Sequence, residues 1–359
     1  MINIVIPMAG RGSRFADAGY LDPKPLIRLG GRPMISWVIE NLRPVVEHRF
    51  IFICLSEHLE RYPDVRKTLE TLCPGCGIVE VSAVTEGAAC TVLLARELIN
   101  NDEPLMIANS DQYIDFDVNG YLEAALNPSV DGLIMTFEDN DPKWSYCLMR
   151  ADGFVGSVVE KQVVSDKATT GVYNYSRGQD FVRAAEAMIR DDIRVNGEFY
   201  VAPAYDQMIA GGANVAIYHL SPGSMYGIGT PQDLHAFMET ELYVGLLTET
   251  ERIRYRTEAY VRAFDSKDLE GVLSFFGDGF VLEDPAGSFS GEQTLREYIG
   301  GLFSNHEHLS FKAKHITVEG ECSVIEFVLE LNEQVLVGVD WIEWEGLRMK
   351  GLRAYLYRK

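Results

Sequence analysis

The sequence predicts an α/β protein: a doubly wound, mainly parallel sheet in a first domain, followed by a smaller α+β domain. Two observations carry this. In the first two thirds of the 359 residues, short, continuously apolar runs alternate with segments of helical texture. Strands that are apolar on both faces belong to parallel sheets covered by helices on each side. Beyond about residue 250 the texture changes to one helix followed by strands, one of which alternates strictly.

Taken in order, Ile2-Asn-Ile-Val-Ile6 reads as a buried strand and Pro33 to Asn41 as a helix. Phe50-Ile-Phe-Ile-Cys-Leu55 is a second buried strand, His58 to Leu72 helical, Gly77 to Val84 a strand, and Thr91 to Ile99 helical again. Leu105-Met-Ile-Ala108 is a further short apolar strand, with Asn109-Ser110-Asp111-Gln112 directly after it. In the second part, Glu251 to Phe264 is helical, and strands are expected near 279–284, 309–319, 322–331, 334–344 and 347–357. Ile325, Phe327, Leu329 and Leu331 alternate with Glu326, Val328 and Glu330, the period of antiparallel strands with one wetter face. The domains are therefore expected at 1–248 and 249–359, with the break near Thr248-Glu249-Thr250.

Composition narrows the function. Hydrophobic residues make up 47% of the chain and the formal net charge is −21, the profile of a globular protein that does not bind nucleic acid or an anionic membrane as a partner. The opening residues lack a basic segment and the apolar run stops at Pro7, so no leader and no membrane span are expected. Six cysteines in so long a chain fit reduced thiols and a cytoplasmic location. Cys73-Pro-Gly-Cys76 is a lone CxxC with no second pair to complete a zinc site, and reads as a turn.

The most informative stretch is Pro7-Met8-Ala9-Gly10-Arg11-Gly12-Ser13-Arg14-Phe15. Two glycines open a GxGxxG, but Phe15 stands at the third glycine, and no GxxxxGK[ST] exists. What remains is a backbone able to approach an anion, with a hydroxyl and two guanidinium groups. Ten residues on, Pro23-Lys24-Pro25 holds an ammonium between two residues of restricted backbone. In folds of this class ligands bind outside the carboxyl ends of the strands, where both this loop and Ser110-Asp111 stand.

The order of AGRGSRF, PKPLI, Glu86-Gly-Ala-Ala89, Ser110-Asp111, Glu160-Lys161, Thr170-Gly-Val-Tyr173 and Gly229-Thr-Pro231 resembles the sugar-phosphate nucleotidyltransferases. These are the nucleotidyl-diphosphosugar pyrophosphorylases and their cytidylyltransferase relatives, and the resemblance covers about residues 1–245. It implies that Met8, Ala9, Gly10, Arg11, Gly12, Ser13 and Arg14 bind a nucleoside triphosphate, Arg14 holding the departing pyrophosphate and Lys24 the α-phosphate. It places Gly87 against the base or ribose and Asp111 on Mg²⁺. On the side of a small phosphorylated acceptor it implies Glu160, Lys161, Gly171 and Glu198. Such chemistry joins two polyanions, so cations and positioning supply most of the rate and no protein nucleophile is needed.

Two positions depart from the family pattern. Ser82 stands where a base-reading glutamine is expected, and Gly227 where a second metal aspartate is expected, with Glu198 the candidate to replace it. The pattern Tyr260-Val-Arg-Ala-Phe-Asp265, Phe280-Val-Leu-Glu-Asp-Pro285 and Gly291 resembles the ketosteroid-isomerase-like, or SnoaL-like, cone over about 250–359. Its polar candidates for a cavity are Asp284, His306, His308 and Asp340, and its apolar face is the one available for a homodimer. The reading that follows is a Mg²⁺-dependent nucleotidyltransferase. The alternative is a nucleotide-binding or scaffold protein whose catalysis has decayed, for which Ser82 and Gly227 argue and Arg14, Lys24, Asp111 and Lys161 argue against.

Overall fold

The computed structural model describes residues 1–358. The chain divides into two compact units, Met1–Arg28 with Arg32–Phe237, and Leu29–Gly31 with Met238–Lys359. The division falls ahead of the break expected at Thr248, so the helix Glu241–Leu246 goes with the second unit.

The first unit is built on a nine-stranded sheet among the described residues. Its centre is the parallel set the sequence predicts: Leu105–Ala108, Ile2–Met8, His48–Leu55 and Gly77–Val81, side by side in that order. These strands are apolar on both faces because helices cover both; Ile4, Ile6, Ile51 and Ile53 are all fully buried. An antiparallel arm continues the sheet from Leu105–Ala108 through Lys167–Tyr175 to Ser145–Met149 and Val155–Glu160.

Two expected helices are divided. His58 to Leu72 becomes Ser56–Arg61 and Pro63–Leu72, because Pro63 has no N–H to continue a helix and Tyr62 before it takes φ −129. Thr91 to Ile99 becomes Ala88–Leu93 and Arg96–Ile99. The strand expected to Val84 ends at Val81.

After the helix Glu241–Leu246, the second unit consists of a six-stranded sheet and the helices Glu249–Asp265, Leu269–Leu273 and Glu292–Asn305, among the described residues. Thr248 starts the long helix with a capping box, its hydroxyl accepting from the Glu251 N–H while the Glu251 carboxylate accepts from the Thr248 N–H. The alternation in Cys322–Leu331 is realised, with Ile325, Phe327, Leu329 and Leu331 turned into the core. The short strand Gly287–Ser290 and the helices 269–273 and 292–305 were not predicted.

Candidate active site

Ile2–Met8 and Leu105–Ala108 are parallel neighbours in register, Asn3 opposite Leu105 and Val5 opposite Ile107. Their carboxyl ends therefore open on one side, and bring the glycine loop beside Asn109-Ser110-Asp111. A cleft of about 330 Å³ lies there, and eight of the expected residues line it: Met8, Ala9, Gly10, Gly12, Lys24, Gly87, Asp111 and Glu198.

Phe15, at the position of the missing third glycine, is an anchor: it is buried and meets Tyr20 edge-on at 5.1 Å. Gly12 turns the loop at φ 64, and a β-carbon there would stand 3.2 Å from the Lys24 β-carbon. Arg11, Ser13 and Arg14 are exposed on the same loop outside the cleft lining. Neither guanidinium forms an ion pair among the described residues.

Lys24 opens a single turn, Lys24–Leu26, between two prolines. Its Nζ donates to Asp111 Oδ2 at 2.5 Å. Asp111 is fixed in turn by its own backbone, whose carbonyl accepts from Ile228 N–H at 2.9 Å. Its carboxylate lies so close over Gly229 that a β-carbon there would be 2.5 Å from Oδ2. Gly227 pairs with Gln112 in a two-stranded ladder, and the atoms nearest its absent side chain belong to Asp233, 3.7 Å away. Asp233 itself accepts from the Thr230 hydroxyl at 2.7 Å. The acid that shares the cleft with Asp111 is Glu198.

The wall carrying Gly87 explains how Glu198 arrives. Phe199 N–H donates to Glu86 O at 2.8 Å and Ala89 N–H to Phe199 O at 3.0 Å. Gly87, at φ 133, permits this approach, since a β-carbon would lie 2.4 Å from Phe199 O. Ser82 is exposed and outside the lining; Val84 and Thr85 form that wall instead.

The other residues expected on the acceptor side, Glu160, Lys161 and Gly171, stand away from the lining. Glu160 is buried, accepts from the Ser145 hydroxyl, and has its carboxyl pushed up by burial. Lys161, at φ 55, donates to the Tyr200 hydroxyl, with Nζ 4.5 Å above the ring centre. That bond raises its ammonium, and burial raises the Tyr200 phenol, to which the Glu198 carboxylate adds. Tyr200 thus links Lys161 to the Glu198 segment. Sequence reading missed it, and its only signal was its place two residues after Glu198. Gly171, at φ 89, makes room for Asn109: a β-carbon would lie 2.1 Å from its amide nitrogen.

Among the described residues no three acidic, histidine or cysteine side chains form a metal cage. The donor set nevertheless fits Mg²⁺, which takes one or two carboxylates and completes its shell with water and substrate phosphates. Asp111 and Glu198 would hold it, and without it the Asp111 carboxylate pairs with the Lys24 ammonium. All six cysteines are free; Cys76 N–H bonds back to Cys73 O at 3.0 Å, and burial pushes the Cys73 thiol up to about 11, as befits a turn. No described helix is long and apolar enough to cross a membrane.

A cleft at the carboxyl ends of adjacent parallel strands, lined by a glycine loop, a lysine and a carboxylate, is the place where doubly wound α/β proteins take their ligands. The nucleotidyl transferase family model matches residues 4–202, more than half of the chain, and the SnoaL-like domain model matches 257–350. The chain belongs to the nucleotidyl transferase family. It is 31% identical over 182 residues to the mannose-1-phosphate guanylyltransferase catalytic subunit beta of Danio rerio, covering 48% of this chain and 49% of that one. The chain thus spans about half the length of the curated relatives it matches. A nucleoside-diphosphate-sugar pyrophosphorylase from Vibrio cholerae superposes with TM-score 0.56 at 25% identity, over 66% of this chain and all of that one. A UDP-glucose pyrophosphorylase complexed with UDP-glucose shares the fold, with TM-score 0.52 at 17% identity, over 66% and 97% of the two chains.

Proposed function

We propose that the protein transfers a nucleotidyl group from a nucleoside triphosphate to a sugar phosphate or another small phosphorylated alcohol, releasing pyrophosphate. The observation that carries this is the Lys24–Asp111 pair beside the glycine loop, within a cleft that also holds Glu198. A phosphate oxygen of the acceptor bonds to the α-phosphorus, and the bond to the bridging oxygen breaks, with its electron pair leaving on pyrophosphate.

The Gly10–Gly12 backbone donates to the triphosphate, and Arg14 from the rim neutralises the departing pyrophosphate. Lys24 moves from Asp111 to the α-phosphate, which frees the carboxylate for Mg²⁺. That ion, once bound, offsets phosphate charge during transfer. Lys161 and Glu160 orient the acceptor, and Tyr200 keeps the Lys161 ammonium charged and aimed. These groups act by placement and charge, the terms that dominate phosphoryl transfer.

The test is a screen of four nucleoside triphosphates against phosphorylated acceptors, with pyrophosphate release as the readout. GTP with mannose 1-phosphate heads the panel, because the curated relative named above is a mannose-1-phosphate guanylyltransferase subunit and GTP is the triphosphate that carries a guanylyl group. Release with one pair and Mg²⁺ supports the proposal. Tight nucleotide binding without release for any acceptor supports the decayed scaffold instead.

A further inference from the structure

The second unit encloses a separate cavity of about 240 Å³ that the nucleotidyl chemistry does not use. Asp284 and Asp340 are the acids that line it; the histidines considered with them do not. His306 Nδ1 is 2.8 Å from Leu302 O, and His308 Nε2 is 3.3 Å from Glu330. Asp284 is well satisfied, accepting from the Tyr298 hydroxyl and from Ala286 N–H at 2.8 Å. Asp340 differs. It is 4% exposed and faces the cavity, and its carboxyl has no hydrogen-bond partner among the described residues.

The rest of the wall is apolar and rich in rings, with Phe264, Phe311 and Phe327 among them. No lysine, arginine or histidine lines it among the described residues. The titratable groups facing Asp340 are Asp284 from strand 276–284, Tyr260 from helix 249–265 and Tyr298 from helix 292–305. Burial, and secondarily the Asp284 charge, push the Asp340 carboxyl up to about 8. An anion entering would meet two acids. A purely apolar molecule would leave a buried carboxyl unpaired. An apolar body bearing an ammonium complements every wall, pairing with a carboxylate and lying against ring faces.

We propose that this cavity binds a small apolar ammonium ion whose N–H donates to Asp340 while its hydrocarbon body fills the aromatic pocket. The size fits about ten heavy atoms, by comparison with an engineered cavity of about 150 Å³ that holds benzene.

The experiment titrates the full chain by calorimetry with 2-phenylethylammonium and N,N-dimethylbenzylammonium, against the isosteric 2-phenylethanol and 3-phenylpropionate. The ammonium ions are expected to bind at least tenfold more tightly than the alcohol, with no binding of the carboxylate. At pH 7 binding should release a proton from Asp340, read by comparing buffers of different ionisation enthalpy. Asp340→Asn should lose at least tenfold in ammonium affinity while melting no lower than wild type. Asp284→Asn provides a second reading and should weaken the ammonium ions several-fold without helping the alcohol. Equal affinity for alcohol and ammonium, no binding of either ammonium, or unchanged affinity in a folded Asp340→Asn protein would overturn the proposal. Tighter alcohol binding that weakens above pH 8 would overturn it in favour of a neutral Asp340 acting as donor.

Discussion

Lys24 and Asp111 meet at 2.5 Å with side-chain exposures of 22% and 35%, so water screens the pair and its contribution to stability is small, about 0 to 1 kcal/mol. In the proposed reaction its value is positional: each group holds the other until phosphate and cation take its place. Lys24→Ala should therefore bind Mg²⁺ more tightly than wild type in the absence of nucleotide, read by calorimetry, while turnover falls by orders of magnitude. A variant with unaltered metal affinity and normal turnover would refute the role given to the pair. Arg14, exposed and without an ion-pair partner among the described residues, should tolerate Arg14→Ala with a stability change within about 0.5 kcal/mol. Its loss should appear in kcat, through pyrophosphate. Tyr200→Phe removes the hydroxyl that accepts from Lys161; it should raise the acceptor KM several-fold and leave the nucleotide KM unchanged. A change in the nucleotide KM alone would place Tyr200 on the other substrate.

At the scale of elements, the site depends on segments whose conformations the sequence expresses unequally. The parallel strands were legible because full burial forces continuous apolar runs, and the glycine loop and Pro23-Lys24-Pro25 because backbone-restricting residues punctuate the chain. The closure of segment 86–89 on Phe199 was not legible, since it is a backbone pairing across more than a hundred residues. Glu198 could be nominated only by its motif. Gly227 illustrates the same limit: sequence shows an aspartate missing, and only the fold shows Asp233 beside the gap. Gly87 is the place to test the closure. With φ at 133 and Phe199 O 2.4 Å from a β-carbon, Gly87→Ala should lower stability by about 1–3 kcal/mol and move Glu198 out of the cleft. The expected readout is a lower melting temperature together with lost turnover; a variant normal in both would contradict this account of the wall.

For the whole molecule, the two proposed sites fall in separate units, because every residue lining the cleft at Lys24 and Asp111 belongs to the first and every residue lining the acidic cavity to the second. Asp340→Asn should leave nucleotidyl transfer unchanged. The same residue predicts a pH dependence of folding. Its folded pKa, about 8, lies above the unfolded value near 3.9, so the native state holds the proton more firmly. Stability contributed by this group is full below about pH 4 and is lost as pH rises through 8. Melting of the second unit should therefore fall from about pH 4 to about pH 8 and level off above that, and Asp340→Asn should flatten that decline. A wild-type profile as flat as the variant's would show that Asp340 is ionised at neutral pH.

The central claim, transfer of a nucleotidyl group at the Lys24–Asp111 cleft, is tested most directly by Mg²⁺-dependent pyrophosphate release in wild type and Asp111→Asn. The substitution keeps the shape of the side chain and removes its charge. With the nucleotide and acceptor pair found in the screen, wild type should release pyrophosphate only when Mg²⁺ is present, and Asp111→Asn should release none above background while keeping its fold. Full release by Asp111→Asn, or release by wild type that ignores Mg²⁺, would contradict the account.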